Sequence, residues 1–131
     1  NNKETNRKNS DSRLSQRALR EIYLRPFEIV IREAEPWAIM SSYNIINGRR
    51  ASESWELLTD ILRGDWGYTG MVMTDWWTKG EHYKEILAGN DLKMANGYPE
   101  RVRQALELGL VSREDLETCA RRILELILKI D

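Results

Sequence analysis

From Leu14 onward, apolar residues recur every three or four positions: Leu19, Ile22, Tyr23, Phe27, Val30 and Ala34. That period predicts a helix with one buried stripe. Pro26 lies inside it without a backbone donor, so a kink or local break is expected near residues 22–24, and Pro36 ends the element. Before Leu14 the chain is polar and almost free of aliphatic residues, and residues 1–13 read as a loop or arm. Trp37-Ala38-Ile39-Met40 fits a buried strand that closes on Ser41-Ser42-Tyr43-Asn44, and Asn47-Gly48 marks a turn. Ser52 is placed to cap a second helix that buries Trp55, Leu58, Ile61 and Leu62 and stops at Gly64.

Met71-Val72-Met73-Thr74 reads as a second buried strand leading into Asp75-Trp76-Trp77. A short helix over 81–87 leads through Gly89-Asn90 to a third strand over 91–94. Pro99 opens a further helix and Gly109 closes it. Ser112 and Asp115 form a capping pair for the last helix, whose apolar stripe is Leu116, Cys119, Ala120, Ile123, Ile127 and Ile130. Strands alternating with helices argue for parallel strands joined by crossover helices, and near-continuous apolar strands agree. The expected fold class is therefore α/β, with about three parallel strands and surrounding helices. So few strands leave the architecture unfinished. Open strand edges and an uncovered apolar face then favour a homo-oligomer.

Composition narrows the function classes. The chain has 131 residues, 41% hydrophobic and 31% charged, which suits one globular domain. Lys+Arg 20 against Asp+Glu 21 leaves a formal charge of -1, so nucleic acid is not an expected partner. Residues 1–25 are locally basic, which suits a solvated helix face. Cys119 is the single cysteine and His82 the single histidine, which rules out an internal disulfide and a Cys/His zinc site. Neither a metal nor a cofactor is expected. No apolar run is long enough to span a bilayer and the polar start is no signal peptide, so no membrane partner is expected either.

In parallel α/β folds, working side chains gather at the carboxyl ends of strands. Two such ends are rich in polar and aromatic residues here: Ser41-Ser42-Tyr43-Asn44 and Thr74-Asp75-Trp76-Trp77. A carboxylate followed by two indoles suits a sugar site, because it can attack a cationic carbon while an indole packs on a pyranose face. The competing reading is plain: a strand-end Asp often caps the next helix, and Tyr43, Trp76 and Trp77 would then be packing residues. Arg7, in a polar arm, is by default a surface arginine.

The chain strongly resembles glycoside hydrolase family 3, the β-glucosidase group. The matching stretches run in order from residue 1 nearly to the end. They begin with Asn1-Asn2-Lys3-Glu4-Thr5-Asn6-Arg7 and Ser15-Gln16-Arg17-Ala18-Leu19-Arg20-Glu21-Ile22-Tyr23-Leu24. Trp37-Ala38-Ile39-Met40-Ser41-Ser42-Tyr43-Asn44-Ile45-Ile46-Asn47-Gly48 follows, then Leu57-Leu58-Thr59-Asp60-Ile61-Leu62-Arg63-Gly64-Asp65-Trp66-Gly67-Tyr68. Gly70-Met71-Val72-Met73-Thr74-Asp75-Trp76 and Ala88-Gly89-Asn90-Asp91-Leu92-Lys93-Met94 complete them.

The resemblance implies that Asp75 is the nucleophile of a retaining glycosidase, with Tyr43 close to it, Arg7 holding sugar hydroxyls and Trp76 lining the sugar subsite. It implies a partial (β/α) barrel, with residues 1–131 as the C-terminal part of a domain of about 250 residues or more. The implied substrate is a β-glucoside or related carbohydrate with a terminal β-linked sugar.

Departures from the family pattern are equally specific. A Lys-His pair normally precedes the first motif, the group's acid/base comes from a following domain, and nothing here matches either. Lys3 stands where Gln is usual, and Ala95-Asn96-Gly97 where Pro-Gly is usual. The 131-residue chain alone is therefore expected to be inactive. An alternative is a non-catalytic, self-associating α/β module that keeps a vestigial sugar-binding edge.

Overall fold

The computed structural model describes residues 4–131. Asn1, Asn2 and Lys3 of the first motif lie outside the described residues. The centre of the fold is a parallel pair, β2 (Ala38–Ser41) against β5 (Met71–Thr74), in register Ala38 to Met71 through Ser41 to Thr74. A third parallel segment lies on the far side of β5. It was expected as a strand over 91–94 but is reduced to one bridge, Met73 to Leu92. The Asp91 and Leu92 N–H groups both donate to the Val72 carbonyl, and the Asp91 carboxylate takes the Val72 N–H. That side chain occupies ladder positions, which is why pairing stops.

A second small sheet corrects the reading of residues 1–13 as an arm. Within it, β1 (Asp11–Ser12) pairs parallel with β3 (Ile45–Ile46), and β3 pairs antiparallel with β4 (Arg49–Arg50). The β3–β4 turn is Asn47-Gly48, both residues at positive φ (49° and 85°), as a tight hairpin requires. Asn47 also binds both backbone groups of Leu14, and the Gly48 N–H donates to Asp11, so the turn holds the N-terminal segment in place.

The first helix breaks where Pro26 predicts. Helix α1 (Gln16–Ala18), capped by Ser15, widens into a π-helical turn over Leu19–Tyr23, and α2 (Arg25–Ala34) restarts with Pro26 in its first turn. The second helix, Glu56–Asp65, is π-helical throughout. Ser52 does not cap it. The Leu57 N–H instead bonds the Ser54 hydroxyl, and Ser52 is buried elsewhere. Helices α3 (His82–Ala88), α4 (Pro99–Glu107) and α5 (Arg113–Ile130) follow, with the Ser112/Asp115 capping box in place.

Ile31, Leu58, Leu62, Tyr68, Val72 and Ala88 form the core, between the helices and one face of the strands. Much of the predicted stripe of the first helix is not buried: Ile22, Tyr23, Phe27 and Val30 are exposed, and so is Trp55. Ala120, Ile127 and Ile130 of α5 are exposed as well. The period of these helices is as read. The apolar faces simply extend beyond what these residues can cover. No helix is long and apolar enough to cross a membrane among the described residues.

Asp91 is the buried tie of this core. Its side chain is fully inaccessible and accepts from Arg63 and Arg122, each at 2.9 Å, as well as from Val72. Arg63 also donates to the Gly70 and Gly89 carbonyls, joining the π-helix to both parallel segments. Removing one partner of a buried pair leaves the others uncompensated, at a cost of about 3–5 kcal/mol. Asp91→Ala is expected to destabilise the protein on that scale, whereas Glu107→Ala on exposed α4 stays within about 0.5 kcal/mol. Urea unfolding followed by tryptophan fluorescence measures both.

Candidate active site

The carboxyl ends of β2 and β5 lie side by side, because the two strands pair in parallel and in register. One further bond, from the Asp75 N–H to the Ser41 carbonyl, carries the ladder past Thr74 and fixes the backbone of Asp75. Tyr43 leaves β2 two residues beyond its end and turns across to β5, where its hydroxyl donates to the Trp76 carbonyl. Asp75 and Tyr43 therefore meet at adjacent strand ends on one side of the sheet. No helix starts directly after Asp75, since α3 begins only at His82, so its carboxylate caps nothing. It accepts instead from the neighbouring Trp76 N–H at 2.7 Å.

Arg7 reaches the same place from the N-terminal segment, with its guanidinium 5.0 Å from the centre of the Tyr43 ring. Lys8 was not singled out by the sequence, yet its ammonium lies 4.8 Å from the same ring. Two cations on one phenol ring are a cation–π arrangement, strengthened by the electron-rich face. They come within reach because the Lys8 carbonyl accepts from Arg50 of β4 and β1 pairs with β3. Arg7 also pairs with Glu4 at 3.0 Å. Burial above all, and then the Asp75 carboxylate, push the Tyr43 phenol above its ordinary pKa, with Arg7 pulling the other way. The phenol is thus held protonated beside a carboxylate.

The loop from Trp76 to Gly80 is built on a buried ion pair that the sequence did not reveal. The Glu85 side chain is 1% exposed and that of Lys93 4%, and they are in direct contact. Glu85 also accepts from the Ser52 hydroxyl at 2.9 Å and from Thr78 at 2.8 Å. Lys93 donates to Thr78 and to the Gly80 carbonyl, each at 3.1 Å. Gly80 packs so closely that a Cβ there would fall 2.3 Å from a Glu85 oxygen. Lys79, on the outer side of the loop, donates to Asn9 and ties the loop to the segment carrying Arg7.

Trp77 sits in this loop at φ 55°, a left-handed conformation that costs a non-glycine residue about 1–3 kcal/mol. Its ring lies 5.7 Å from that of Trp76, inclined by 51°, and both are exposed. His82 has its Nδ1 buried without a hydrogen-bond partner. Burial first, and then Lys93, lower its pKa, so the ring is neutral at pH 7. Among the described residues, no group of three or more His, Cys, Asp or Glu side chains is arranged to hold a metal.

Against this geometry, comparison with known proteins is specific. The profile of the Glycosyl hydrolase family 3 N terminal domain matches residues 3–126. Beta-glucosidase A of Butyrivibrio fibrisolvens is 58% identical over 117 residues, covering 89% of this chain and 14% of that protein. An exo-alpha-(1->6)-L-arabinopyranosidase of Bifidobacterium longum is 41% identical over 130 residues, covering 98% of this chain and 17% of its own length. The structure of beta-glucosidase 3B from Thermotoga neapolitana in complex with glucose superposes with a TM-score of 0.93 at 41% identity. That match covers 98% of this chain and 19% of the larger one. The chain thus spans less than a fifth of the length of these relatives.

The electrostatic contact between Asp75 and Tyr43 has a direct readout. Asp75→Asn removes a negative charge that disfavours phenolate, so the Tyr43 midpoint is expected to move down, toward the ordinary phenol range. Burial remains and keeps it above that range. A pH titration of ring-labelled tyrosine by NMR, with Tyr43→Phe identifying the resonance, measures the shift. An unchanged midpoint contradicts the contact.

Proposed function

This chain belongs to glycosyl hydrolase family 3, and from that premise we propose that it forms the C-terminal part of a (β/α) barrel in a longer, retaining glycosidase. The open α/β segment, two paired parallel strands and a bridged third with helices around them, is a partial barrel of that kind. The observation that carries the mechanism is one carboxylate, Asp75, at a strand end beside Tyr43, with Arg7 over the phenol and Trp76 adjacent.

In this reading Asp75 attacks the anomeric carbon of a terminal β-linked pyranoside such as a β-glucoside. The glycosidic C–O bond breaks as the leaving oxygen takes a proton from an acid/base supplied outside this chain. A glycosyl ester on Asp75 results, and water then cleaves it with the configuration retained. Tyr43, kept protonated with its hydroxyl on the Trp76 carbonyl, stands beside the attacking carboxylate, Arg7 binds ring hydroxyls, and the Trp76 indole packs against the apolar sugar face.

The two carboxyl groups of a retaining enzyme stand about 5–5.5 Å apart across the scissile bond. Nothing in the resemblance assigns the second to this chain, so the 131-residue segment alone turns over no natural β-glucoside. Ile22, Tyr23, Phe27 and Val30, with Leu124 and Leu128 of α5, leave apolar surface open, and among the described residues β2 is an edge strand. As an isolated segment it self-associates to cover them.

Two measurements test this reading. In the longer protein, Asp75→Ala lowers hydrolysis of an aryl β-glucoside by on the order of 10⁴-fold or more, the scale on which loss of a nucleophile or its activating group acts. Added azide then attacks the vacated face and releases an α-glycosyl azide; near-parental hydrolysis without azide overturns the assignment. For the isolated segment, sedimentation equilibrium at micromolar concentration gives a dimer or larger species, and a stable monomer contradicts self-association.

A further inference from the structure

Trp77 has a conformation and an exposure that packing does not explain. The residue is 59% exposed, so it contributes little to the core, yet its backbone is held at φ 55°, where glycine is the usual occupant. Thr78, the next residue, is pinned to Glu85 and Lys93, while the Gly80 carbonyl and the Lys79 ammonium are held as well. Four contacts inside four residues leave the loop no freedom to relax at Trp77. The outcome is a solvent-exposed indole on a held loop, two residues beyond Asp75. It stands 5.7 Å from the Trp76 ring and 51° out of its plane, so the two indoles that follow Asp75 present faces in two different planes.

We propose that Trp77 is the platform for the sugar ring on the leaving side of the scissile bond, which makes it a specificity residue for β-linked disaccharides and longer oligosaccharides. The inference rests on the glycosidase reading above. Trp76 faces the ring that Asp75 attacks. A second pyranose, joined through the bond being cleaved, continues away from Asp75 and needs an apolar surface in a different plane. Trp77 supplies it on a loop backbone that is already held, so little loop ordering is lost when the ring lands. A methyl group in place of that second sugar is too small to cover an indole.

The test compares cellobiose with methyl β-glucoside as substrates of the longer protein carrying Trp77→Gly and Trp77→Phe. Glycine adopts the left-handed backbone freely, so Trp77→Gly removes the ring without straining the loop. It is expected to lower kcat/KM for cellobiose about fivefold more than for methyl β-glucoside, chiefly through KM, in keeping with the loss of one aromatic platform. Trp77→Phe, which keeps an aromatic face, recovers at least half of that selectivity. Equal losses on both substrates, or selectivity unchanged in Trp77→Gly, overturn the proposal while leaving the glycosidase reading intact. Absence of hydrolysis of either substrate by the unaltered protein overturns both.

Discussion

A buried carboxylate must be fully partnered, and Glu85 is the one on which the geometry of the strand ends depends. Its partners come from three separate places: Ser52 before the π-helix, Thr78 in the loop after β5, and Lys93 on the third parallel segment. Asn90 extends the network by donating to the Ser52 and Glu85 carbonyls and accepting from Ser41 at the end of β2. The carboxylate thus holds Ser52, Thr78 and Lys93, and Asn90 links the end of β2 to the main chain of Ser52 and Glu85. The parallel pairing of β2 and β5 places Asp75, and the Glu85 network keeps the loop that follows it from rearranging.

The sheet itself carries too little to do this alone. Two four-residue strands and one bridge give few ladder bonds, and β2 has no partner on its outer side among the described residues. Side chains take over where backbone pairing ends. Asp91 caps the Val72 N–H, Arg63 takes the Gly70 and Gly89 carbonyls, and Asn47 takes both groups of Leu14. Burying such groups is costly unless they are bonded, and these bonds tie segments that are far apart in the chain.

What was legible in the sequence follows from how local each signal is. The strand over 71–74 appears as read because a continuous apolar run bounded by Gly70 and Asp75 has few alternatives. The break before Pro26, the Asn47-Gly48 hairpin and the Ser112 cap are also local chemistry. Strand β1 was not legible, since Asp11 and Ser12 have no strand propensity and pair only because Ile45 and Ile46 arrive from a distance. Periodicity could not separate a π-helix from an α-helix at Glu56–Asp65, nor show that Trp55 and Phe27 would stay exposed.

At the site, Asp75, Tyr43, Trp76 and Arg7 could be named from motif and strand-end position. Glu85, Lys93 and Lys8 could not. Charged residues of short helices and loops are read as solvent-facing by default, and only the fold shows two of them buried against one another.

The loop between β5 and α3 also divides its positions by direction. Thr78 and Gly80 face the Glu85 network, one through its hydroxyl and the other because no Cβ fits, while Trp76, Trp77 and Lys79 project outward. Changes at the inward positions disturb the anchor and so the place of Asp75. Changes at Trp76 and Trp77 alter mainly what the loop presents, whereas Lys79 also ties it to Asn9. Such a segment can vary what it shows to solvent residue by residue while the backbone of Asp75 stays bonded to Ser41.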